Sequence, residues 1–559
     1  MLRTGKFLAT LRNGGYIMRK LMALLTVLLL ALGGIAALAE AEPVEVPALA
    51  TNDGGLALDG LALDDLEIDE LELGDIADLK LPEGGVLLPE AGEEAPAYTA
   101  NDGESMKINS TNFPDAEFRR FVKESFDGDG DSYLSPDEAN AVTRMWFGTG
   151  TDLPVVRCKN VEGIEFFPNL EDLGIIGMID DFVPLKRLDV SRNPKMRILY
   201  ICATDLPKLD VSKNTKLEDM CIGTDKLTSL KLGKQKHLTN LVCDTNKLTA
   251  LDVSGCPNLE SLHCYKNKLT ALDLRKNTKL KELRAEENKL KTLDVSKCKA
   301  LVSLDCWDNY NIKSLDVSKS ANLESLCCGN NKLTKLDVSN NKKLRFLYCY
   351  CNDLTTLDVS KNTKLEELCP GTNKKLKTLK LGKNTKLKQL VCDTCQLTSL
   401  DVSGCTQLEI LNCSKNKLKE LNVTKNTKLK ELYCEFMKLK KLDVTKNPQL
   451  KMLYCYSNAL TALNVSKNAK LVKLHCGENQ LKALDVSKCT KLETLYSEGN
   501  AIEKIDIAKF SSYLRKLARN NPFEVEDGLV YIIPEDDKGL CFDASIRIYD
   551  GKKLIYEPA

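Results

Sequence analysis

The stretch LESLHCYKNKLTALDLRKN (residues 259–277) decides the fold, because most of the chain repeats it. Each repeat contains an LDV-like triplet that opens with leucine or, once, with isoleucine. The opening residues lie at positions 188, 209, 230, 251, 272, 293, 315, 336, 357, 379, 400, 421, 442, 463, 484 and 505. The step is 21 residues thirteen times and 22 residues twice. Sixteen copies at this period predict a solenoid, in which each unit buries its apolar edge against its neighbours.

The repeat unit reads LxxLxCxxNxLTxLDVSKN. Its first part, with Leu259, Leu262, Cys264, Asn267 and Leu269, resembles the leucine-rich repeat signature. The chain as a whole is similar to bacterial secreted or surface leucine-rich repeat proteins with short repeats. This resemblance implies a mostly β and coil solenoid, a curved array of about 16 repeats over residues 151–507. It also implies a role in adhesion or partner binding.

The cysteine of the repeat is predicted to face the core and not a metal ion. Alternate residues of a strand point to opposite faces, so Cys264 points inward while His263 and Tyr265 point outward. His263 and Cys264 therefore cannot bind the same ion. The inward cysteine recurs at positions 243, 264, 306, 328, 349, 392, 413, 434, 455 and 476. We expect mostly free thiols that fill the core, with disulfides between coils as the alternative for an exported chain.

Two further columns of residues are predicted to hydrogen-bond the turns. One contains asparagine at positions 246, 267, 288, 309, 331, 352, 416, 458, 479 and 500. The other alternates between asparagine and cysteine, at Asn214, Cys256, Asn277, Cys298, Asn341, Asn362, Cys405, Asn426 and Cys489. Buried turn amides need partners, and stacked asparagine side chains can bond the backbone of their own and the adjacent coil.

The first 105 residues differ in composition from the rest of the chain. Arg19 and Lys20 precede an apolar run that ends in a small-x-small cleavage pattern at residues 37–39, so residues 1–39 are predicted to be a signal peptide. An uncleaved membrane anchor is the alternative, and Met18 is an alternative start. Residues 40–105 hold 19 acidic residues and one basic residue, and we expect an acidic disordered linker. Residues 106–559 hold 73 basic and 60 acidic residues.

A twelve-residue acidic loop, residues 127–138, lies between two segments with helical spacing. Calcium requires six or seven oxygen ligands around one point, which alternating acidic groups in a tight turn provide. The predicted Ca²⁺ ligands are Asp127, Asp129, Asp131, Ser135 and Glu138 through their side chains and Tyr133 through its backbone carbonyl. The loop resembles an EF-hand except at Ser132, where the family has glycine, so a weak extracellular site is expected. Residues 106–150 are expected to form an EF-hand-like helix-loop-helix cap on the solenoid.

Outward strand positions are free of the packing constraint of the core, so their side chains are candidates for partner binding. The candidates are His263, Tyr265, Trp307, Tyr348, Tyr350, Tyr433, Tyr454, Tyr456, His475 and Tyr496. Aromatic side chains on an exposed sheet are a usual route to protein or sugar recognition. The alternative is that tyrosine favours strands and stacks with its neighbours on adjacent coils. The patch from Tyr433 to Tyr496 is the better candidate.

Lysine forms another column beside the turns. Its members are Lys213, Lys276, Lys297, Lys319, Lys361, Lys383, Lys425, Lys446, Lys467 and Lys488. A solvated edge is the simplest interpretation. The alternative is a ridge that binds anionic wall polymers, mucin glycans or the acidic linker.

The sequence contains only three histidines, and it shows no nucleophile–base pair and no glycine-rich phosphate loop. We therefore expect a non-enzymatic protein without a nucleic-acid partner and, after signal cleavage, without a membrane span. Residues 508–559 are expected to cap the solenoid with short strands. The leading hypothesis is a secreted, extracellular or surface-associated scaffold that binds a protein or glycan ligand. The second hypothesis is a structural component of the cell envelope or matrix without a specific ligand.

Overall fold

The computed structural model describes residues 104–150, 153–178, 180–520, 524–526, 529–532, 539–543 and 545–557. The predicted signal peptide, and all but the last two residues of the predicted acidic linker, lie outside the described residues. From residue 144 to residue 506, the described chain repeats one coil in which a short strand alternates with turns.

A parallel sheet, called the main sheet below, receives one strand from each coil. Its strands are Arg144–Gly148, Asp172–Ile176, Ile198–Cys202, Asp219–Gly223, Asn240–Val242, Ser261–His263, Glu282–Arg284, Ser303–Asp305, Ser325–Cys327, Phe346–Tyr348, Glu367–Cys369, Gln389–Val391, Ile410–Asn412, Glu431–Tyr433, Met452–Tyr454, Lys473–His475 and Thr494–Tyr496. Neighbouring coils pair in register, so Leu262 lies beside Leu241 on one side and Leu283 on the other. Each position of the repeat therefore forms a column along the solenoid.

The inward columns form the core. Leu259, Leu262, Cys264 and Leu269 are all fully buried, and the same positions are buried in the neighbouring coils. Burying one leucine side chain contributes roughly 1.5–3 kcal/mol, and each coil gains this only against its neighbours. The predicted leucine-rich repeat solenoid, mostly β and coil, is confirmed.

A second row of pairing occurs at some of the LDV-like triplets. Lys208–Asp210 pairs with Ser229–Lys231, and Thr356–Asp358 pairs with Thr378–Lys380. Lys504–Asp506 pairs with Arg547–Asp550, which also pairs with Lys553–Tyr556. In a typical triplet, the Asp252 carboxylate accepts a hydrogen bond from the backbone N–H of Ser254 at 2.9 Å, which closes a local turn.

The asparagine columns join adjacent coils as expected. Asn267 Nδ2 donates to the carbonyl oxygens of Cys243 and Cys264 at 2.9 and 3.1 Å. Asn267 Oδ1 accepts from the backbone N–H of Leu248 at 2.9 Å. In the second column, Asn277 donates to two carbonyl oxygens of the preceding coil. One side chain thus satisfies buried backbone groups of two coils, which the turns cannot satisfy themselves.

The N-terminal end of the described chain is helical. Helix α1 spans Ala116–Phe126 and helix α2 spans Pro136–Ala141. Strand Met106–Lys107 pairs antiparallel with Tyr133–Leu134, which lies within the acidic loop. A 3₁₀ turn at Ile164–Phe166 precedes the second strand of the main sheet.

Phenylalanine side chains attach α1 to the first coil. The ring of Phe147, on the first strand of the main sheet, lies 5.9 Å from that of Phe118 and 4.9 Å from that of Phe121, measured between ring centres. Phe126 packs edge-on against Phe167 at 5.3 Å. All five rings are buried, so the helical segment and the first coil share one apolar core.

The C-terminal end combines a helix with strands. A 3₁₀ turn at Ile507–Lys509 is followed by helix α3 at Ser512–Asn520 and by strands Glu524–Glu526, Leu529–Ile532 and Leu540–Asp543. The last of these strands extends the main sheet, because it pairs with Thr494–Tyr496. The expectation of strands alone missed α3, where Leu514 and Ala518 are buried one helical turn apart. No helix in the described ranges is both long and apolar enough to cross a bilayer.

Candidate functional site

The loop between α1 and α2 brings three predicted ligands together. One carboxylate oxygen from each of Asp127, Asp129 and Asp131 lies within 4.8 Å of the other two. Asp129 Oδ1 accepts from the backbone N–H of Asp131 at 3.1 Å, and Asp131 Oδ1 accepts from that of Tyr133 at 2.7 Å. These bonds curl the loop, and hard oxygen atoms at this separation suit a calcium ion.

The end of the loop returns to its beginning. Glu138 Oε1 accepts from the backbone N–H of Gly128 at 2.6 Å, and Glu138 Oε2 accepts from that of Ser135 at 2.8 Å. Ser135 Oγ caps α2 by accepting from the N–H of Glu138 at 3.3 Å. By contrast, Asp127 Oδ1 is buried and has no hydrogen-bond partner among the described residues. An orphaned buried carboxylate oxygen is costly unless a cation faces it, so the donor set fits a metal ion.

Ser132 adopts the conformation that glycine provides in EF-hand loops. Its φ is 66°, in the left-handed region. Its backbone N–H donates to Asp127 Oδ2 at 3.1 Å, and its hydroxyl accepts from Lys123 Nζ at 2.7 Å. The sequence therefore keeps the turn at a backbone cost of about 1 kcal/mol.

The outer face of the main sheet is defined here as the three columns of Ser261, His263 and Tyr265, which point away from the core. The predicted partner-binding residues occupy the columns of His263 and Tyr265. They point outward, but they are half-buried, and His263 is only 7% exposed. Strands in a sheet lie ~4.8 Å apart, so large side chains on adjacent coils cover one another.

Four rings in the column of His263 form a continuous row, called the aromatic stack below. Ring centres of Tyr433 and Tyr454 are 4.9 Å apart, those of Tyr454 and His475 are 4.3 Å apart, and those of His475 and Tyr496 are 4.4 Å apart. Burial, aided by Lys473, lowers the pKa of His475 to about 4. The stack is therefore uncharged at neutral pH.

Other predicted residues lie beside charged groups. His263 Nε2 is 3.1 Å from Glu282 Oε1. The guanidinium of Arg284 lies 4.6 Å from the centre of the Tyr265 ring and donates to Glu286 Oε1 at 2.7 Å. These side chains form a separate polar group on the outer face.

The remaining predicted aromatics pack individually. The Tyr348 hydroxyl donates to Glu367 Oε2 at 2.5 Å. Tyr350 covers Gly329, where an added Cβ would come within 2.6 Å of the ring. Tyr456 packs edge-on against Phe436, with ring centres 5.4 Å apart. The structure thus groups four of the ten candidates into one row and distributes the others.

Acidic residues on the outer face were not recognised as candidates from the sequence. Burial raises the pKa of Asp244 and of Glu286. Burial, reinforced by the neighbouring Glu286 carboxylate, raises the pKa of Asp305 to about 8. These residues share columns with the aromatic candidates, so counting charge column by column would have revealed them.

The cysteines are free thiols throughout the described structure, which contains all 22 of them. Burial raises the pKa of the inward thiols, Cys264 among them, so they stay protonated at neutral pH. Cys202 and Cys221 approach each other on the outer face with their sulfur atoms 3.9 Å apart, beyond bonding distance. The thiols therefore act as apolar packing.

The lysine column is exposed along its whole length, as expected. At seven of the ten lysines an aspartate of the LDV triplet lies three residues earlier. Hydrogen bonds within the turn, together with the charges of Lys297 and Lys446, lower the pKa of Asp294 and Asp443. Aspartate and lysine columns of opposite charge therefore run side by side, which weakens the case for an anionic partner on this edge.

The repeating coil, the parallel main sheet and the inward leucine columns define a leucine-rich repeat solenoid. The functional domain of InlJ from Listeria monocytogenes, which includes a cysteine ladder, is similar over 79% of this chain and 87% of its own, with 28% identity and a TM-score of 0.48. A leucine-rich repeat protein from Leptospira interrogans is similar over 62% of this chain and 88% of its own, with 22% identity and a TM-score of 0.47. The chain matches no protein-family model, and no curated protein matches its sequence.

Proposed function

We propose that this protein is an exported, non-enzymatic scaffold that binds a protein partner through the outer face of its main sheet. The observation that carries the proposal is the aromatic stack of Tyr433, Tyr454, His475 and Tyr496. Rings held against one another present a large contact area and lose little conformational entropy on binding. Aromatic anchors of this kind dominate the binding energy of protein interfaces.

The variation between repeats supports a recognition role for this face. The inward leucine columns stay nearly constant, whereas the column of His263 continues as Arg284, Asp305, Cys327 and Tyr348. Packing alone does not require such variety at outward positions. A matrix component without a ligand would need the inward columns and the asparagine columns, but not a varied outer face.

Calcium is part of the proposal as a structural ion at the N-terminal end. Asp127, Asp129, Asp131, Ser135 and Glu138, with the carbonyl of Tyr133, would hold it. A bound ion supplies positive charge between carboxylates that otherwise repel one another and leave Asp127 Oδ1 without a partner. Extracellular calcium is near millimolar, which occupies sites of ~10⁻⁴–10⁻³ M affinity, and the proposed export fits this requirement.

The binding proposal can be tested with a displayed library of random peptides selected on the immobilised full chain. Recovered peptides are then measured against the Tyr454→Ala variant, which removes the ring that contacts both Tyr433 and His475. We expect about tenfold weaker binding, typical of losing an aromatic anchor.

The matched control is Tyr310→Ala. Tyr310 is 58% exposed and lies outside the three columns of the outer face. Its removal is expected to leave affinity unchanged, and circular dichroism confirms that both variants are folded. Equal binding to the two variants would contradict a partner site on the aromatic stack and favour the structural alternative.

A further inference from the structure

The outer face of the main sheet is acidic although the body of the protein is basic. Its acidic residues are Asp172, Asp219, Asp244, Glu282, Glu286, Asp305, Glu367, Asp393, Glu431, Glu435 and Glu498. Its lysines and arginines, within the described residues, are Arg144, Arg284 and Lys473. Eleven acidic against three basic residues give this face a formal charge of −8, whereas the rest of residues 106–559 holds 70 basic and 49 acidic residues. Such a field attracts cationic partners to this face.

Two carboxylates at the middle of this face are left unsatisfied. Glu286 Oε2 and Asp305 Oδ1 are buried oxygen atoms with no hydrogen-bond partner among the described residues. The Glu286 side chain is 1% exposed, and Arg284 donates both of its hydrogen bonds to the other oxygen, Oε1, at 3.1 and 2.7 Å. A buried carboxyl oxygen without a partner is costly, so a cation that donates to both of these atoms would stabilise the ionised pair.

The surroundings of the pair suit an organic cation. Tyr265 and Trp307 lie on either side of Glu286 in the same column, one coil before it and one coil after it. Arg284 gives an example of a cation held in this way within the chain. Its guanidinium lies over the Tyr265 ring and donates to the Glu286 carboxylate. Aromatic rings and carboxylates together are the groups that bind ammonium and guanidinium ions.

We propose that Glu286 and Asp305 bind a lysine or arginine side chain of an extended basic segment of the partner protein, which lies along the outer face. This inference rests on the proposed function, because it identifies the chemistry of the partner on the same face. The cation donates to Glu286 Oε2 and to Asp305 Oδ1. Arg284 cannot take this role, because within the described chain it donates only to Glu286 Oε1. The Trp307 side chain, half-buried beside Glu286, is displaced as the cation enters.

Trp307 makes the test direct, because the chain contains only two tryptophans. In the Trp146→Phe variant of the full chain, tryptophan emission reports Trp307 alone. Titration with an octalysine peptide is expected to give a saturable change in this emission. Adding Glu286→Gln and Asp305→Asn is expected to weaken binding about tenfold, the loss typical of removing one side of a charge pair.

A matched control removes two carboxylates elsewhere. Asp294→Asn with Asp316→Asn changes exposed residues of the LDV column, where Asn422 and Asn464 occur naturally. This variant is expected to bind octalysine with affinity within about twofold of the parent, because surface charges outside the site contribute little. If the Glu286→Gln/Asp305→Asn variant is unfolded by circular dichroism, Asp305→Asn alone replaces it, with an expected loss of about fivefold.

Unchanged Trp307 emission, or equal affinity in the site and control variants, would overturn the inference. In that case octalysine binds other acidic groups, such as those of residues 40–105. The display experiment with Tyr454→Ala distinguishes this result from failure of the proposed function, since it does not depend on Glu286 or Asp305. If Tyr454→Ala does not weaken peptide binding and Glu286→Gln/Asp305→Asn does not weaken octalysine binding, both proposals are overturned.

Discussion

At the residue scale, neighbouring positions of one repeat have separate roles. Cys264 is fully buried and fills the core, whereas His263 faces the other side of the sheet and pairs with Glu282. This division follows from strand alternation and was predictable from the sequence. The burial of His263 was not predictable from the sequence, because it depends on the side chains of the adjacent coils.

Asn267 should be the most sensitive polar residue of its coil. Asn267→Ala removes the acceptor for the Leu248 N–H and the donor to three carbonyl oxygens. We expect the Leu248 amide to exchange with deuterium about 100-fold faster, equivalent to about 3 kcal/mol of local stability. Hydrogen exchange followed by mass spectrometry measures this rate. The exposed Lys268→Ala serves as the control, and equal exchange in both variants would refute the role of the column.

Asp305 should make the solenoid less stable as the pH rises. Burial and Glu286 raise its pKa to about 8, against the action of Arg284, the Trp307 N–H and Cys327. The folded state therefore holds a proton that the unfolded chain releases near pH 4, and the resulting stability is lost as the pH rises through about 8. Thermal unfolding of Asp305→Asn should show a smaller fall in midpoint between about pH 5 and pH 9 than the parent.

The control for the pH prediction is Asp316→Asn. Hydrogen bonds from Ser318 lower the pKa of Asp316, so this carboxyl is ionised throughout the measured range. Its removal should leave the pH dependence of the parent intact. A pH dependence in Asp305→Asn equal to that of the parent would show that Asp305 is not the titrating group.

At the element scale, the acidic loop shows what a motif can and cannot predict. Alternating acidic residues predicted which side chains converge, and three of them do so. The structure adds that Ser135 and Glu138 form a capping box on α2, an S-x-x-E pattern that was interpreted only as part of the metal site. Helix α3 was missed although Ser511 precedes it and its Oγ accepts from the backbone N–H of Leu514 at 3.2 Å, because nine residues outside the repeat pattern give only a weak helical signal.

Calcium should stabilise the N-terminal end. At millimolar calcium we expect the thermal unfolding midpoint of the full chain to rise by a few degrees, since a ligand that binds only the folded state stabilises it. Asp127→Ala with Glu138→Ala should abolish this shift. Ser132→Gly should raise the midpoint both with and without calcium, because glycine relieves the backbone strain at a φ of 66°.

The calcium measurement needs a control for charge and for the lost helix cap. Glu117→Ala with Glu124→Ala removes two carboxylates from the exposed surface of α1 and should keep the calcium-dependent shift. Comparing each variant with and without calcium separates ion binding from the capping role of Glu138. A shift that persists in Asp127→Ala/Glu138→Ala would place the ion elsewhere.

At the scale of the whole molecule, the period of the sequence predicted the solenoid, the inward columns and the asparagine columns. It did not bring out the acidic outer face, because that charge shows only when it is counted down each column of the 21- or 22-residue period, which the register of the coils aligns. The period aligns the positions of successive repeats, whereas the burial and the side-chain contacts between coils need the structure.

The central claim is that a partner binds the outer face at the aromatic stack, and hydroxyl-radical footprinting tests it most directly. The full chain is oxidised with and without a display-selected peptide, and side-chain modification is measured by mass spectrometry. The claim predicts that Tyr454, His475 and Tyr496 become protected while the exposed Tyr310 does not. Protection confined to Tyr310 or to the lysine column, with the stack unchanged, would contradict it.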